Sequence, residues 1–205
     1  MIKRTLIITM SFLLLVGLMA APAFAKMKAP IIKLERVEVA SYQPFFVKPR
    51  IDYKSEKEPG KVGTYGYSST MGLAYILTIE NPNRGDIKLD ELTFTVAFEG
   101  FDVHMPQVYE DMWIPGKGLF GKPKTNYLRV HVTHEAFPMI VNLMVGSIWA
   151  TKIKEMGTSQ GALVKKWWDT VGDFKFPIEV KYGAAAFQDK KGEEIRVPFS
   201  GKFPK

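Results

Sequence analysis

The chain has 205 residues, 46% of them hydrophobic and 24% charged, with a formal net charge of +7 and no cysteine. Those figures fit an ordinary globular domain and exclude a disordered or collagen-like polymer, a disulfide-stapled scaffold and a cysteine-linked acyl anchor. With three histidines, no Gly-x-Ser-x-Gly nucleophile and no glycine-rich phosphate loop, the composition names no reaction.

The first predicted element is an address. Lys3 and Arg4 precede an apolar run from Leu6 to Leu18, and Ala23-Phe24-Ala25 supplies small residues at the −3 and −1 positions of a signal-peptidase site. The run is shorter than the roughly 20 residues of a spanning helix, so residues 1–25 are expected to be a cleaved export signal rather than an anchor. Cleavage after Ala25 leaves residues 26–205 as one domain with a formal charge of +5, in the periplasm or outside the cell.

Beyond Lys26 the apolar residues recur mostly with period two, the signature of half-buried strands. Ile32 to Val39 forms the first alternating run and Leu73 to Ile79 the second. Between them, Tyr42 to Met71 is rich in proline, glycine and basic residues, and reads as a surface insertion or a docking loop. Asn81-Pro82-Asn83-Arg84-Gly85 is a turn, with proline presetting φ and asparagine able to bond its own backbone. The clearest strand follows: Leu92, Phe94, Val96 and Phe98 alternate with Thr93, Thr95, Ala97 and Glu99. Further runs occur at Leu128 to Val132, Ile178 to Tyr182 and Ile195 to Phe199, with a polar hairpin tip at Asp189 to Glu193.

Six or seven short strands without intervening helical crossovers predict a mainly β, antiparallel two-sheet sandwich. Pro177 places its strand, or that end of it, at a sheet edge or a bulge. A helical insertion interrupts the strands at about 135–171. Glu135 to Ala150 is apolar nearly throughout, and Gln160 to Val171 follows Ser159, a good N-cap, with Leu163, Val164, Trp167, Trp168 and Val171 on one face. The first run is read as a helix on or between the sheets, with contact to a membrane or a partner as the alternative.

A search for chemistry returns little. His131 and His134 lie three apart on a strand, hence on opposite faces, and do not suit a shared metal; His104 stands alone. The carboxylates are scattered, so no catalytic, metal-binding or cofactor-binding residue is assigned and an enzyme is not expected. No acidic residue lies between Asp111 and Glu135, where Lys117, Lys122, Lys124 and Arg129 accumulate among Trp113, Phe120 and Tyr127. This segment is either a solvated loop or a contact for an anionic surface. Trp149, Trp167 and Trp168, with Met139, Met144 and Met156, are either core packing or the lining of an apolar contact site, to which Trp113 is the other candidate ring. A charge of +5 spread over 180 residues is a weak field, so nucleic acid is not an expected partner.

Tyr75-Ile-Leu-Thr-Ile-Glu-Asn-Pro-Asn83, followed by Ile87 to Gly100 with Leu89, Leu92, Phe94 and Val96 in register, resembles the water-stress and hypersensitive-response (WHy) domain of the atypical, folded late embryogenesis abundant (LEA-type) proteins. Ile114-Pro115 with Gly118, the strand Leu128 to Val132 and the stretch Ile195 to Phe203 are similar to the family's next turn, next strand and closing strand. The resemblance implies an immunoglobulin or fibronectin type III-like sandwich without a catalytic site, protecting proteins or membranes during desiccation or similar stress. Asn81, Pro82, Asn83 and Gly100 would be its motif residues, and turn geometry alone accounts for the Asn-Pro-Asn step. The expected function is therefore non-enzymatic stress protection in the periplasm through protein or membrane surfaces. The alternative is a lipid or hydrophobic-ligand carrier, or an accessory subunit docking on an inner-membrane or periplasmic complex. The partner and the oligomeric state stay open.

Overall fold

The computed structural model describes residues 26–45, 69–118 and 121–204. The expected signal segment and most of the connection between Tyr42 and Met71 lie outside them.

Among the described residues, eight strands form two antiparallel sheets. The first holds β1 (Ile31–Tyr42), β2 (Thr70–Asn81) and β6 (Lys124–Glu135), in the order β1-β2-β6. The second is built on β3 (Ile87–Phe98), flanked on one side by β7 (Ile178–Asp189) and then β8 (Glu194–Phe203). Its other side is shared: β4 (Phe101–His104) pairs with Val96 to Phe98, and β5 (Gln107–Ile114) with Ile87 to Thr93. The expected antiparallel sandwich of immunoglobulin or fibronectin type III-like kind, with its helical insertion, is the observed architecture. Two of its strands, β4 and β5, were not expected.

The alternation explains the layers. Tyr75 of the first sheet meets Phe94 of the second edge-on at 5.6 Å between ring centroids, and Phe94 in turn meets Phe199 at 6.1 Å. In β1, Leu34 and Val37 are three residues apart yet both buried, because the register shifts between Leu34 and Arg36; a second shift lies between Val39 and Ser41. β6 pairs with β2 over all twelve residues without a shift. β8 lies beside β1, where a Cβ on Gly201 would fall 2.5 Å from Leu34 Cβ, and it carries Pro198 as befits an outer strand. Pro177 departs from expectation: it precedes the first residue of β7, which is an inner strand, so it removes no ladder donor from the sheet.

The insertion folds as three helices, α1 (Ala136–Val145), α2 (Ser147–Glu155) and α3 (Gln160–Thr170). The single helix expected from Glu135 to Ala150 is broken at Gly146, whose ψ of 105° is extended, and the axes on either side turn through 96°. Ser159 caps α3 as expected, its side chain accepting from Ala162 N at 3.2 Å. The helices close the end of the sandwich where β1, β3 and β6 finish. Trp167 packs on Phe98 and Phe176 at 5.5 and 6.3 Å, and Phe101 takes Trp149 at 5.3 Å. The Asn81 turn and the Asp189 to Glu193 hairpin sit at the opposite end, roughly 36 Å away by the rise of a twelve-residue strand.

Candidate contact surfaces at the two ends of the sandwich

The Asn-Pro-Asn step is a fully used hydrogen-bond node. Asn81 is completely buried, and its amide nitrogen donates to Gly85 O and Ile114 O at 3.0 Å each. Its side-chain oxygen accepts from Asn83 N at 2.9 Å and from Asn83 Nδ2 at 3.0 Å, which exhausts both donors and both lone pairs. Asn83 then pairs with the backbone of Lys28 as a strand would: its Oδ1 accepts from Lys28 N at 2.8 Å and its Nδ2 donates to Lys28 O at 2.9 Å. The motif thus ties the first described residues of the chain to the β2–β3 turn. Gly100 takes a φ of +83° beside Glu99 at +50°, the two-residue hairpin between β3 and β4, so this motif position answers to backbone geometry.

The basic segment is not one loop. Lys124 opens β6 and Arg129 lies on its outward face, with Nη2 3.7 Å from Glu38 Oε2; Lys122 is exposed ahead of the strand. Lys117 lies apart from them, its N donating to Asn83 O at 2.9 Å, and so joins the Asn-Pro-Asn end. The strand begins earlier than its apolar alternation suggested, which places two of the four cations on β6, five residues apart and so on opposite faces of it.

The tryptophans separate likewise. Trp167 and Trp168 are buried, and both indole N–H groups are taken, by Glu99 Oε2 at 2.8 Å and Gln43 O at 3.2 Å, so core packing accounts for them and they are not contact residues. Trp149 is half-buried against Phe101, and Trp113 on β5 is exposed, with Lys190 Nζ 5.7 Å from its ring centroid.

Exposed apolar side chains lie instead on α1 and at the start of α2, in the run whose alternative reading is contact with a membrane or a partner; Met144 is among the residues singled out above, Phe137, Val145 and Ile148 are not. α1 contains no charged residue; Ala136, Met139, Ile140 and Leu143 face the core, and on the other side Phe137, Met144 and Val145 are 48%, 59% and 79% exposed. Ile148, on α2 beyond the break, is 75% exposed as well. Amphipathic surface helices put mostly polar and charged residues there, whereas α1 puts only Asn142 among its exposed apolar side chains. Among the described residues no single helix is long and apolar enough to cross a membrane.

His134 is buried where His131, three residues earlier on the same strand, is exposed. Its Nε2 lies 3.2 Å from Tyr75 Oη, and His104, solitary in sequence, stacks edge-on to it at 5.7 Å. Nδ1 of His134 has no hydrogen-bond partner, and burial, with the His104 and His131 charges adding to it, pushes the imidazole down to about 3. Burial also raises the Tyr75 phenol well above its ordinary value. The pair is neutral at physiological pH. Among the described residues no three His, Asp or Glu side chains converge as metal ligands.

No known family profile matches the chain, and no curated protein is similar to it. Solved structures align with it at low identity. One is a solution structure from Arabidopsis thaliana, matched over 90% of this chain and 85% of that one at 12% identity and a TM-score of 0.46. Another, provisionally named as a late embryogenesis abundant (LEA) protein, matches over 98% and 83% at 13% identity and a TM-score of 0.35. A protein from Archaeoglobus fulgidus matches over 80% and 98% at 8% identity and a TM-score of 0.35.

Proposed function

We propose that this protein is a non-enzymatic, periplasmic stress-protection protein that covers apolar surfaces of other proteins or of membranes when water is withdrawn. The observation that carries the reading is the outer face of α1: an uncharged helix with Phe137, Met144, Val145 and, beyond the break, Ile148 turned to solvent. Several large apolar side chains exposed on one short helical segment are what a contact site offers. The resemblance of the segments around Asn81 and Leu92 to the WHy domain of LEA-type proteins supplies the physiological setting.

Energetics suit a stoichiometric protector. Covering what remains exposed of these four side chains is worth about 1 kcal/mol apiece, less than association itself costs in dilute solution. Contacts of that strength are transient when dilute and become populated as drying raises every concentration. The space between helices and sheets is filled by Phe98, Phe101, Trp167 and Phe176, which favours contact at the outer face over a lipid carried inside.

The test is protection of a labile enzyme through cycles of freezing or drying. Activity retained should rise in proportion to the protein added, and the double variant Met144→Lys, Ile148→Lys, altered only at exposed positions, should keep the wild-type melting temperature and lose most of the protection. Protection no better than that of an equal mass of albumin, or undiminished in the double variant, would refute the proposal.

A further inference from the structure

The end opposite the helices holds a groove of about 730 Å³ between the first described residues, the Asn-Pro-Asn turn, the Ile114 to Gly118 turn and the Asp189 to Glu193 hairpin. Lys26, Lys28, Arg84, Lys117 and Lys190 line it. These cations come from four segments far apart in sequence, and the hydrogen bonds of the turn bring them together. Asn83 clasps the Lys28 backbone from one side, and Lys117 N and Gly118 N donate to Asn83 O and Arg84 O from the other. Gly116 permits the approach, since a Cβ there would lie 2.3 Å from Arg84 O and 2.5 Å from Gly85 O.

The two acidic residues of the lining are already occupied. Asp86 accepts from Lys190 Nζ at 2.7 Å and from Gly116 N at 3.0 Å, and those two bonds, the lysine's first, hold its carboxyl below the ordinary range. One carboxylate oxygen of Asp189 accepts from Lys191 N and Glu193 N at 2.8 and 2.9 Å, closing the hairpin on itself. Among the described residues no carboxylate lies within ion-pairing distance of Lys26, Lys28, Arg84 or Lys117. The backbone N–H groups of Arg84 and Gly85 likewise find no acceptor among them. A concave site is thus lined by several uncompensated cations and by two residues whose amides are unpaired, the chemistry that recognises an oxyanion. Its volume is in the range of small-molecule sites and larger than one inorganic phosphate needs.

We infer that this groove binds a phosphate-bearing anion, a polyphosphorylated small molecule or the head group of an anionic phospholipid, through Lys28, Arg84 and Lys117. This is independent of the apolar face on α1, which lies at the far end of the sandwich.

Trp113, with Lys190 against its ring, is a built-in reporter. Tripolyphosphate in one arm, and phosphatidylglycerol vesicles against phosphatidylcholine vesicles in the other, are titrated into the purified protein while tryptophan fluorescence is followed, with Trp113→Phe to assign the signal. The expected result is saturable binding in at least one arm, weakened tenfold or more by Arg84→Glu with Lys117→Glu, and weakened by Lys28→Glu alone. Lys122→Glu with Lys124→Glu, outside the groove, should change it less than twofold, and all variants are checked for an unchanged melting temperature. Response to tripolyphosphate identifies a soluble ligand, and response confined to phosphatidylglycerol vesicles identifies the lipid head group. Binding in neither arm, or binding that the outer pair weakens as much as the groove pair, overturns the inference.

Discussion

Acid should unfold this protein through His134, and the size of the effect follows from its burial. The unfolded chain takes up the imidazole proton near the ordinary value of 6.5, whereas the folded chain, with the ring buried beside Tyr75, Phe98 and His104, takes it up only at about 3. At neutral pH and above neither state holds the proton, and the histidine adds no pH dependence. Below 6.5 the unfolded state gains it alone, so each further pH unit costs the folded state about 1.4 kcal/mol until the folded pKa is reached. From pH 7 to pH 4 the loss comes to about 3 kcal/mol, a large part of the 5 to 15 kcal/mol typical of a domain. His134→Gln keeps an amide beside the Tyr75 hydroxyl and removes the titration. Urea unfolding followed by tryptophan fluorescence at pH 7, 6, 5 and 4 should give a wild-type stability that falls more steeply than the variant's, the gap widening by about 3 kcal/mol over that range. Parallel profiles, or an NMR titration placing the His134 imidazole near 6.5 in the folded protein, would refute the reasoning.

Two substitutions at the opposite end test its construction. Asn81→Ala strands Ile114 O in a buried site and removes the part-buried bonds to Gly85 O and Asn83 N, and should lower stability by about 1 to 3 kcal/mol, read as a shift of the urea midpoint with an unchanged m-value. Gly116→Ala drives a methyl group into the carbonyl oxygens of Arg84 and Gly85, backbone atoms that cannot rotate away, and should cost about 1 to 3 kcal/mol by the same assay.

What the sequence disclosed, and what it concealed, divides along physical lines. Leu92 to Val96 of β3 and Leu128 onward in β6 bury every second residue against the core, so their apolar alternation was plain. β5 pairs along one edge of β3 and leaves most of its residues exposed, and β4 is four residues long; neither needs the periodic pattern that advertises a half-buried strand. Their signal was the Glu99-Gly100 dipeptide, which reads as a hairpin once Gly100 is given a positive φ rather than taken as the end of a strand. The break in the first helix was signalled by Gly146-Ser147 inside an otherwise unbroken apolar run. Trp167 and Trp168 were correctly placed on one helical face, but periodicity alone does not say whether such a face meets solvent or a sheet. The basic groove was beyond reach, because Lys28, Arg84, Lys117 and Lys190 become neighbours only through the Asn83 clasp and the return of two hairpins to the same end.

The sheet margins bear on how the molecule meets copies of itself when crowded. β1 is interrupted by two register shifts, β8 carries a proline, and the line formed by β4 and β5 is cut at Met105-Pro106, which leaves β6 as the one described margin running twelve residues in unbroken register. An unpaired strand margin can accept one foreign strand, although on β6 the Tyr127 N–H is already taken by Asn126 Oδ1 at 3.0 Å. Strand addition through this margin would join two molecules as a pair and use up the longest regular edge that the described residues offer on each.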